Sequence, residues 1–284
     1  MKKLLTALFT LLLVAGACSD DGSDDAGDSE ANSTTTAEGS TTETTAAEAS
    51  GEPITVLVTN DDGVDAEGID ALVEALDARD DVEVVVVAPD VNKSGSGGKT
   101  IGGDLAATEA TTASGYEATA VDGFPADAVI YALGTEELEP DLVISGINDG
   151  QNIAQVVNIS GTVGAARQAA QLGVPALAVS QGFGDPPDFP TAVQLVGQWL
   201  DDNIASIRDG SIGTATISSL NVPTCTEGSV KGVVEVPVAT VEGDIAAVDC
   251  AGDAEPTDDL TAFTNGWASL TVLEPTGSIT EDAQ

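Results

Sequence analysis

The block Val-Thr-Asn-Asp-Asp-Gly at residues 58–63 constrains this chain more than any other stretch of its sequence. It ends the β-branched apolar run 54–59, which is typical of a buried parallel strand. Open α/β sheets bind ligands at the carboxyl ends of such strands, and two adjacent carboxylates there are costly without a positive partner. A hard divalent cation is the simplest partner, because Asp and Asn oxygens suit it. Asn, Asp and Gly are also ordinary turn residues, so this block alone leaves a plain turn as the alternative.

Apolar strands alternate with amphipathic helical segments along residues 54–207. This alternation predicts right-handed βαβ units and an α/β fold with a mainly parallel sheet and helices on both faces. From residue 214 onwards, Val-rich strands without clear helices predict a C-terminal β-hairpin extension beside the main sheet. We expect strands at 54–59, 82–88, 118–121, 141–144, 176–180, 215–222, 230–238 and 268–272, and helices at 66–79 (with Asp65 as N-cap), 126–133, 162–172 and 191–207.

Polar segments follow three of the predicted strands, at residues 60–62, 92–94 and 148–152. Because the strands are parallel, these segments should meet at one edge of the sheet. Four oxygen-bearing side chains there would make a site of the Mg²⁺ or Mn²⁺ kind: Asp61, Asp62, Ser94 and Asn148. Ser160-Gly161-Thr162 then begins a helix, and helix N-termini bind anions, phosphate in particular. Ser160 alone would be a plain N-cap, but a metal site alongside favours phosphate binding.

Composition removes several classes of function. The chain has no histidine, which excludes a Ser-His-Asp triad, a Cys-His pair and a His-ligated zinc site. Its 48 acidic and 8 basic residues give a net charge of −40, which repels nucleic acid backbones and argues against such a partner. We attribute the acidity to solubility or a saline habitat. A small anionic substrate would need local positive charge, and a bound cation can supply it.

The first 52 residues have the composition of an export signal followed by a flexible linker. Residues 1–18 combine a basic start, an apolar stretch and Ala-Gly-Ala before Cys18, as in a bacterial signal peptide of the lipoprotein type. An ordinary cleaved signal with an incidental Cys18 is the alternative. The acidic, Ser/Thr-rich segment 19–52 predicts a disordered tether to a domain at 53–284. We therefore expect an exported lipoprotein, cell-surface or periplasmic, that meets the membrane only through its lipid anchor.

Two further cysteines, Cys225 and Cys250, lie in the predicted exported domain. Exported domains commonly pair such cysteines, so a disulfide is expected, with free thiols as the alternative. A bridge across this gap would stabilise the domain by about 3 kcal/mol.

Four blocks, at residues 58–63, 88–95, 140–152 and 160–166, resemble the SurE family of survival-protein nucleotidases and phosphatases in order and spacing. The resemblance implies a Rossmann-like core. It implies metal ligands at Asp61, Asp62, Ser94 and Asn148, with Mg²⁺ or Mn²⁺ as cofactor, and phosphate or substrate contacts at Asn60, Asn152, Ser160, Gly161 and Thr162.

The resemblance also implies an activity: hydrolysis of nucleoside 5′-monophosphates, and of 3′-monophosphates in some members. Asp61 would orient or deprotonate the attacking water, and Asp62 would hold the metal. Members commonly assemble as dimers or tetramers through the C-terminal part. A non-catalytic nucleotide- or phosphate-binding lipoprotein on the same fold is the alternative, because a fold does not guarantee activity.

Overall fold

The computed structural model describes residues 51–241 and 243–276, and the strands in these residues form one nine-stranded sheet. The predicted signal peptide with Cys18, and nearly all of the predicted tether, lie outside the described residues. In chain order the strands are β1 (Ile54–Thr59), β2 (Val82–Pro89), β3 (Ala107–Thr111), β4 (Glu117–Val121), β5 (Leu142–Asp149), β6 (Ala176–Gln181), β7 (Ile217–Val222), β8 (Val233–Glu235) and β9 (Ala268–Leu273).

The order of the strands across the sheet creates a crevice between β1 and β5. Across the sheet the order is β3-β4-β2-β1-β5-β6-β7-β9-β8, and the six strands from β4 to β7 in this order are parallel. The chain moves from β1 towards β2 and β4 on one side, then returns to β5 and moves towards β7 on the other. Such a switch point opens a crevice at the carboxyl ends of the two strands, where α/β folds bind ligands.

Helices cover both faces of the sheet, as predicted. They are α1 (Glu67–Asp77), α2 (Pro125–Gly134), α3 (Gly161–Gln171), α4 (Phe189–Arg208) and the short α5 (Asp259–Thr264). Helices α1 and α4 share one hydrophobic core with the sheet, and α2 and α3 share the other. The Ala-rich stripe of α3 is fully buried, because small side chains allow close packing on the strands. Among the described residues, no helix has both the length and the hydrophobicity to cross a membrane.

Several element boundaries differ from the prediction. Asp65 does not cap α1, because the N-cap position is Ala66, which makes no side-chain hydrogen bond there. Strand β5 continues through an irregularity between Ser145 and Asn148, so Asn148 lies within the strand instead of the loop after it. The exposed edge strand β3 was not predicted, since its sequence Ala-Thr-Glu-Ala-Thr lacks an apolar run.

The C-terminal strands extend the main sheet instead of forming a separate hairpin. Strand β9 pairs antiparallel with β7, and β8 pairs parallel with β9, so β8 and β9 are not hairpin partners. The connection between them contains α5, which was not predicted because its six residues are too short to reveal a helical period. Cys225 and Cys250 are joined by a disulfide, with their Cα atoms 5.7 Å apart, so the predicted pairing is present.

Candidate metal and phosphate site

The turn after β1 presents two carboxylates at the switch point. Asn60 is fully buried, and its side chain donates to the Gly63 carbonyl (2.8 Å) and accepts from the Gly63 N–H (3.2 Å). This amide therefore closes the turn that carries Asp61 and Asp62, and its predicted contact with substrate stays a prediction. The turn and the carboxylate site, which the sequence offered as alternatives, coexist in one block.

Asp62, in the turn after β1, accepts hydrogen bonds from the loop after β2 and from the end of β5. One of its oxygens accepts hydrogen bonds from the Asn92 amide (2.9 Å) and the Ser94 hydroxyl (3.3 Å), both in the loop after β2. The other accepts the backbone N–H of Asp149 at the end of β5 (2.9 Å). The carboxylate is thus fixed by groups from both sides of the crevice, as expected for parallel strands whose carboxyl ends share an edge.

Asp61 lies against the first turn of α3. Its carboxylate accepts a hydrogen bond of 2.6 Å from the Thr162 hydroxyl, and only 2% of its surface is exposed. A Cβ atom on Gly161 would lie 2.7 Å from the Asp61 Cβ and 2.9 Å from the Ser96 hydroxyl, closer than real Cβ contacts. Glycine at this position therefore allows the helix start to approach the carboxylate, which explains the Ser-Gly-Thr pattern physically.

Ser160 is the N-cap of α3. Its hydroxyl accepts the Val163 backbone N–H at 3.0 Å, so the N-cap reading of this residue is realised in the structure. The first N–H groups of any α-helix lack partners within the helix, and together with the helix dipole they favour an anion. Near this helix start, the Ser96 hydroxyl is buried and has no hydrogen-bond partner among the described residues. Both features fit an oxyanion at the start of α3.

Asn148 lies near the end of β5 and Asn152 lies three residues after that end, and the two amides make different contacts. Asn148 donates its amide N–H to the Gly150 carbonyl, which leaves the amide oxygen as its ligand atom. The Asn152 amide donates to the Thr162 hydroxyl (3.2 Å) and to the Ser180 hydroxyl (2.8 Å). Asn152 therefore orients Thr162, which in turn holds Asp61. Asn152 supports the site through Thr162.

Burial raises the pKa of both carboxylates. Desolvation raises the pKa of Asp61 from 3.8 to about 6, the negative charge of Asp62 adds to the rise, and the Thr162 hydrogen bond opposes it. Burial also raises the pKa of Asp62, and the charge of Asp149 adds to that rise, while three hydrogen bonds oppose it. Neighbouring carboxylates with unfavourable charge are a typical arrangement for binding a cation.

The residues that are present fit a hard divalent metal. Asp61, Asp62, Ser94 and Asn148 offer carboxylate, hydroxyl and amide oxygens, the donors that Mg²⁺ and Mn²⁺ prefer. The described residues contain no group of three or more His, Cys, Asp or Glu side chains placed to hold a metal. A site with two carboxylates agrees with this result, since Mg²⁺ in particular is usually held by one or two carboxylates together with waters and substrate phosphates.

Four polar residues around the site were not among the predicted site residues. Asn92 and Asp149 hold Asp62, Ser180 supports Asn152, and Asn221 accepts the Asn152 backbone N–H at 2.7 Å. Asn92 stood in a polar segment that the sequence already singled out. Ser180 and Asn221 end the apolar strands β6 and β7, and the rule that strand ends line the crevice could have found them.

A wide open groove of the described residues lies away from this site. It encloses about 1020 Å³ and is lined by the middle of β2, the end of β3 and the start of β4. None of the predicted site residues lines it. The candidate site is instead a crevice lined by polar side chains, and its chemistry identifies it.

Comparisons with known proteins agree with this geometry. The family model for survival protein SurE matches residues 56–242. The chain is 36% identical over 237 residues to the 5′-nucleotidase SurE of Methylococcus capsulatus, covering 77% of this chain and 90% of that protein. It is 34% identical over 238 residues to the 5′-nucleotidase SurE of Vibrio cholerae, with the same two coverages. The crystal structure of the SurE protein from Aquifex aeolicus matches with a TM-score of 0.62 at 30% identity, over 80% of this chain and 95% of that one.

A doubly wound sheet of the α/β class with an oxygen-rich crevice at its switch point, together with relatives named 5′-nucleotidase, defines a hydrolase of phosphate monoesters. The chain belongs to the SurE family. The predicted family, fold class and enzyme class are confirmed. The roles given to individual residues, and the metal itself, stay predictions.

Proposed function

We propose that this protein is a divalent-metal-dependent phosphatase that hydrolyses nucleoside 5′-monophosphates to nucleoside and phosphate, with 3′-monophosphates as further substrates. One observation carries the proposal: Asp61 and Asp62 lie at the switch point beside the start of α3 and are held there by groups from β5, α3 and the loop after β2. The site thus combines cation ligands with an anion-binding helix start. The names of the relatives, 5′-nucleotidase SurE, favour nucleotides as the phosphate esters.

The residues of the site would bind the metal and the phosphate at different positions. A bound Mg²⁺ or Mn²⁺ would neutralise phosphate charge and lower the pKa of a water. Asp62, fixed by three hydrogen bonds, would hold that ion together with Ser94 and Asn148. The N–H groups at Gly161 and Thr162 would hold phosphoryl oxygens as charge moves to the leaving oxygen.

Asp61 would handle the proton of the attacking water. Burial raises the pKa of Asp61 to about 6 in the metal-free protein, and a bound cation would lower it, so the carboxylate would be ionised at neutral pH and able to accept a proton. The Thr162 hydroxyl donates to one carboxylate oxygen at 2.6 Å and so fixes the orientation of the carboxylate. Asn152 holds that hydroxyl in turn and acts as a positioning residue.

Phosphate release tests the proposed function. We would measure it from 5′-AMP, 5′-GMP, 3′-AMP and p-nitrophenyl phosphate, with Mg²⁺, Mn²⁺ or EDTA in parallel. Turnover should require the metal and should fall at least about 100-fold in Asp62→Asn, the upper end of losses seen for residues that support metal sites. Asp65→Asn is the matched control, because Asp65 is an exposed carboxylate in the same loop.

Two results would contradict the proposal. Full turnover in EDTA would remove the metal from the mechanism, and full turnover of Asp62→Asn would remove Asp62 from the site. Nucleotide binding without turnover, over several metals and with a folded protein, would favour the non-catalytic binding protein.

We further propose that the protein is exported and tethered to the membrane through a lipid on Cys18, and that it assembles as a homodimer or tetramer. The signal-like residues 1–18 support export, and the Cys225–Cys250 disulfide is typical of an oxidising compartment. Cys18→Ala should release the protein from the membrane fraction, and unchanged membrane association of that variant would refute the anchor. Light scattering of the purified protein measures the assembly, and a monomer at micromolar concentration would refute it.

A further inference from the structure

Phe183 is the most exposed large apolar side chain among the described residues, with 67% of its surface accessible. It lies two residues after the end of β6, at the edge of the sheet where the candidate site lies. The chain is only 3% aromatic, and the other described phenylalanines are more buried. An exposed ring at this place is therefore a feature that core packing does not explain.

The ring is in direct contact with the backbone of the site. A Cβ atom on Gly150 would lie 2.7 Å from the Phe183 Cζ and 2.8 Å from its Cε1, so the tip of the ring rests against this glycine. Gly150 has a φ of +134°, which disfavours any side chain there. Its carbonyl accepts the Asn148 amide N–H, and Asp149, the residue before it, donates its N–H to Asp62. The ring thus rests on the short segment that contains the proposed ligand Asn148 and that donates a hydrogen bond to Asp62.

The backbone that carries the ring is held on both sides. The Phe183 N–H donates to the Gln151 side-chain oxygen (3.2 Å), and the Gly182 N–H donates to the Val222 carbonyl (2.7 Å). The Thr224 hydroxyl donates to the Gly182 carbonyl at 2.5 Å. A ring whose tip is supported and which is largely exposed is pre-positioned to stack on a flat ligand, because little ordering remains to be done on binding.

We propose that Phe183 is the surface on which the nucleobase of the substrate stacks while its phosphate occupies the start of α3. This inference rests on the proposed function, since it assigns the base-recognition residue of the same site. Stacking on an aromatic ring is strong for every base and needs no hydrogen-bond pattern. The ring therefore makes the enzyme prefer phosphate monoesters that carry a base over those that carry only a sugar, with little choice between purines.

The test compares 5′-AMP with ribose 5-phosphate, which presents the same phosphate and sugar without a base. In Phe183→Ala we expect kcat/KM for 5′-AMP to fall about ten- to hundredfold, mainly through KM, as typical base stacking predicts. The value for ribose 5-phosphate should stay within about twofold. Phe183→Trp should keep the preference for 5′-AMP, and Phe183→Leu should lose most of it. Leu172→Ala, an exposed apolar residue at the other end of α3, is the control and should change neither substrate.

The outcomes separate this inference from the proposed function. Equal losses on both substrates, or no loss on 5′-AMP, would overturn the role of Phe183. Absence of turnover of both substrates by the unmodified protein would refute the proposed function. Calorimetry would then decide the inference alone: weaker binding of 5′-AMP but not of ribose 5-phosphate by Phe183→Ala supports it, and equal binding by both proteins overturns it.

Discussion

Replacing Asp61 by Asn should stabilise the metal-free protein at neutral pH. Asp61 is almost fully buried, and folding raises its pKa from 3.8 to about 6. This is a difference of about 2.2 in pKa, and at about 1.36 kcal/mol for each unit it corresponds to about 3 kcal/mol. Above pH 6 the carboxylate is charged in both states, so the folded state bears this cost in full. Asn removes the charge and keeps an oxygen to accept the Thr162 hydroxyl.

The pH dependence gives the sign of the effect. Because the folded pKa is the higher one, the folded protein binds more protons between pH 3.8 and 6, and its stability rises as the pH falls through that window. We would measure urea unfolding of both proteins in EDTA from pH 8 to pH 4. The variant should be more stable by about 3 kcal/mol at pH 8, and the difference should approach zero near pH 4.

Adding a divalent metal should make the natural protein the more stable of the two. Mn²⁺ binds the folded state and should stabilise the natural protein by mass action, and it should stabilise Asp61→Asn less, because that variant lacks one of the two negative charges beside the ion. Asp65→Asn, which changes an exposed carboxylate, is the control for a general charge effect. A variant that is less stable than the natural protein at pH 8 in EDTA, or a difference that is independent of pH, would refute the reasoning.

Three further perturbations test the surroundings of the site. Thr162→Val removes the hydrogen bond to Asp61 and should weaken metal affinity or turnover about 10- to 100-fold, measured by Mn²⁺ titration of phosphate release; an unchanged titration would contradict it. Gly161→Ala places a Cβ 2.9 Å from an Asp61 carboxylate oxygen and should reduce turnover while the far-ultraviolet circular dichroism stays the same; full activity would show that the helix start can move. Changing Cys225 and Cys250 together to Ser should lower the free energy of unfolding by about 3 kcal/mol in urea, and equal stability would mean that the bridge constrains little.

Local patterns were enough to predict the sheet and its helices. The buried strands β1, β2, β5 and β6 are apolar runs ended by polar residues. Helix α1 buries its apolar residues at helical spacing: Ile69, Leu72, Val73 and Leu76. The elements that escaped prediction lack such a pattern. Strand β3 is exposed and held only by pairing with β4, and α5 is too short to show a period, so tertiary contacts determine both.

The site was predictable in its parts but not in its contacts. Strand ends could be placed at one edge of the sheet from topology alone, and in the structure the Ser94 hydroxyl and the Asp149 N–H both reach Asp62. The sequence could not show that Asn60 closes the turn or that Asn152 supports Thr162. Those roles depend on which way each side chain points, and this is fixed by packing across the crevice and not by neighbours along the chain.

The most direct test of the central claim is a crystal structure with Mn²⁺ and adenosine 5′-thiophosphate, with the metal located by anomalous scattering. We expect a single strong manganese peak within about 2.5 Å of oxygens from Asp62, Ser94 and Asn148, with the thiophosphate group at the start of α3. Manganese or thiophosphate bound elsewhere at saturating concentrations, with this crevice holding neither, would contradict the account.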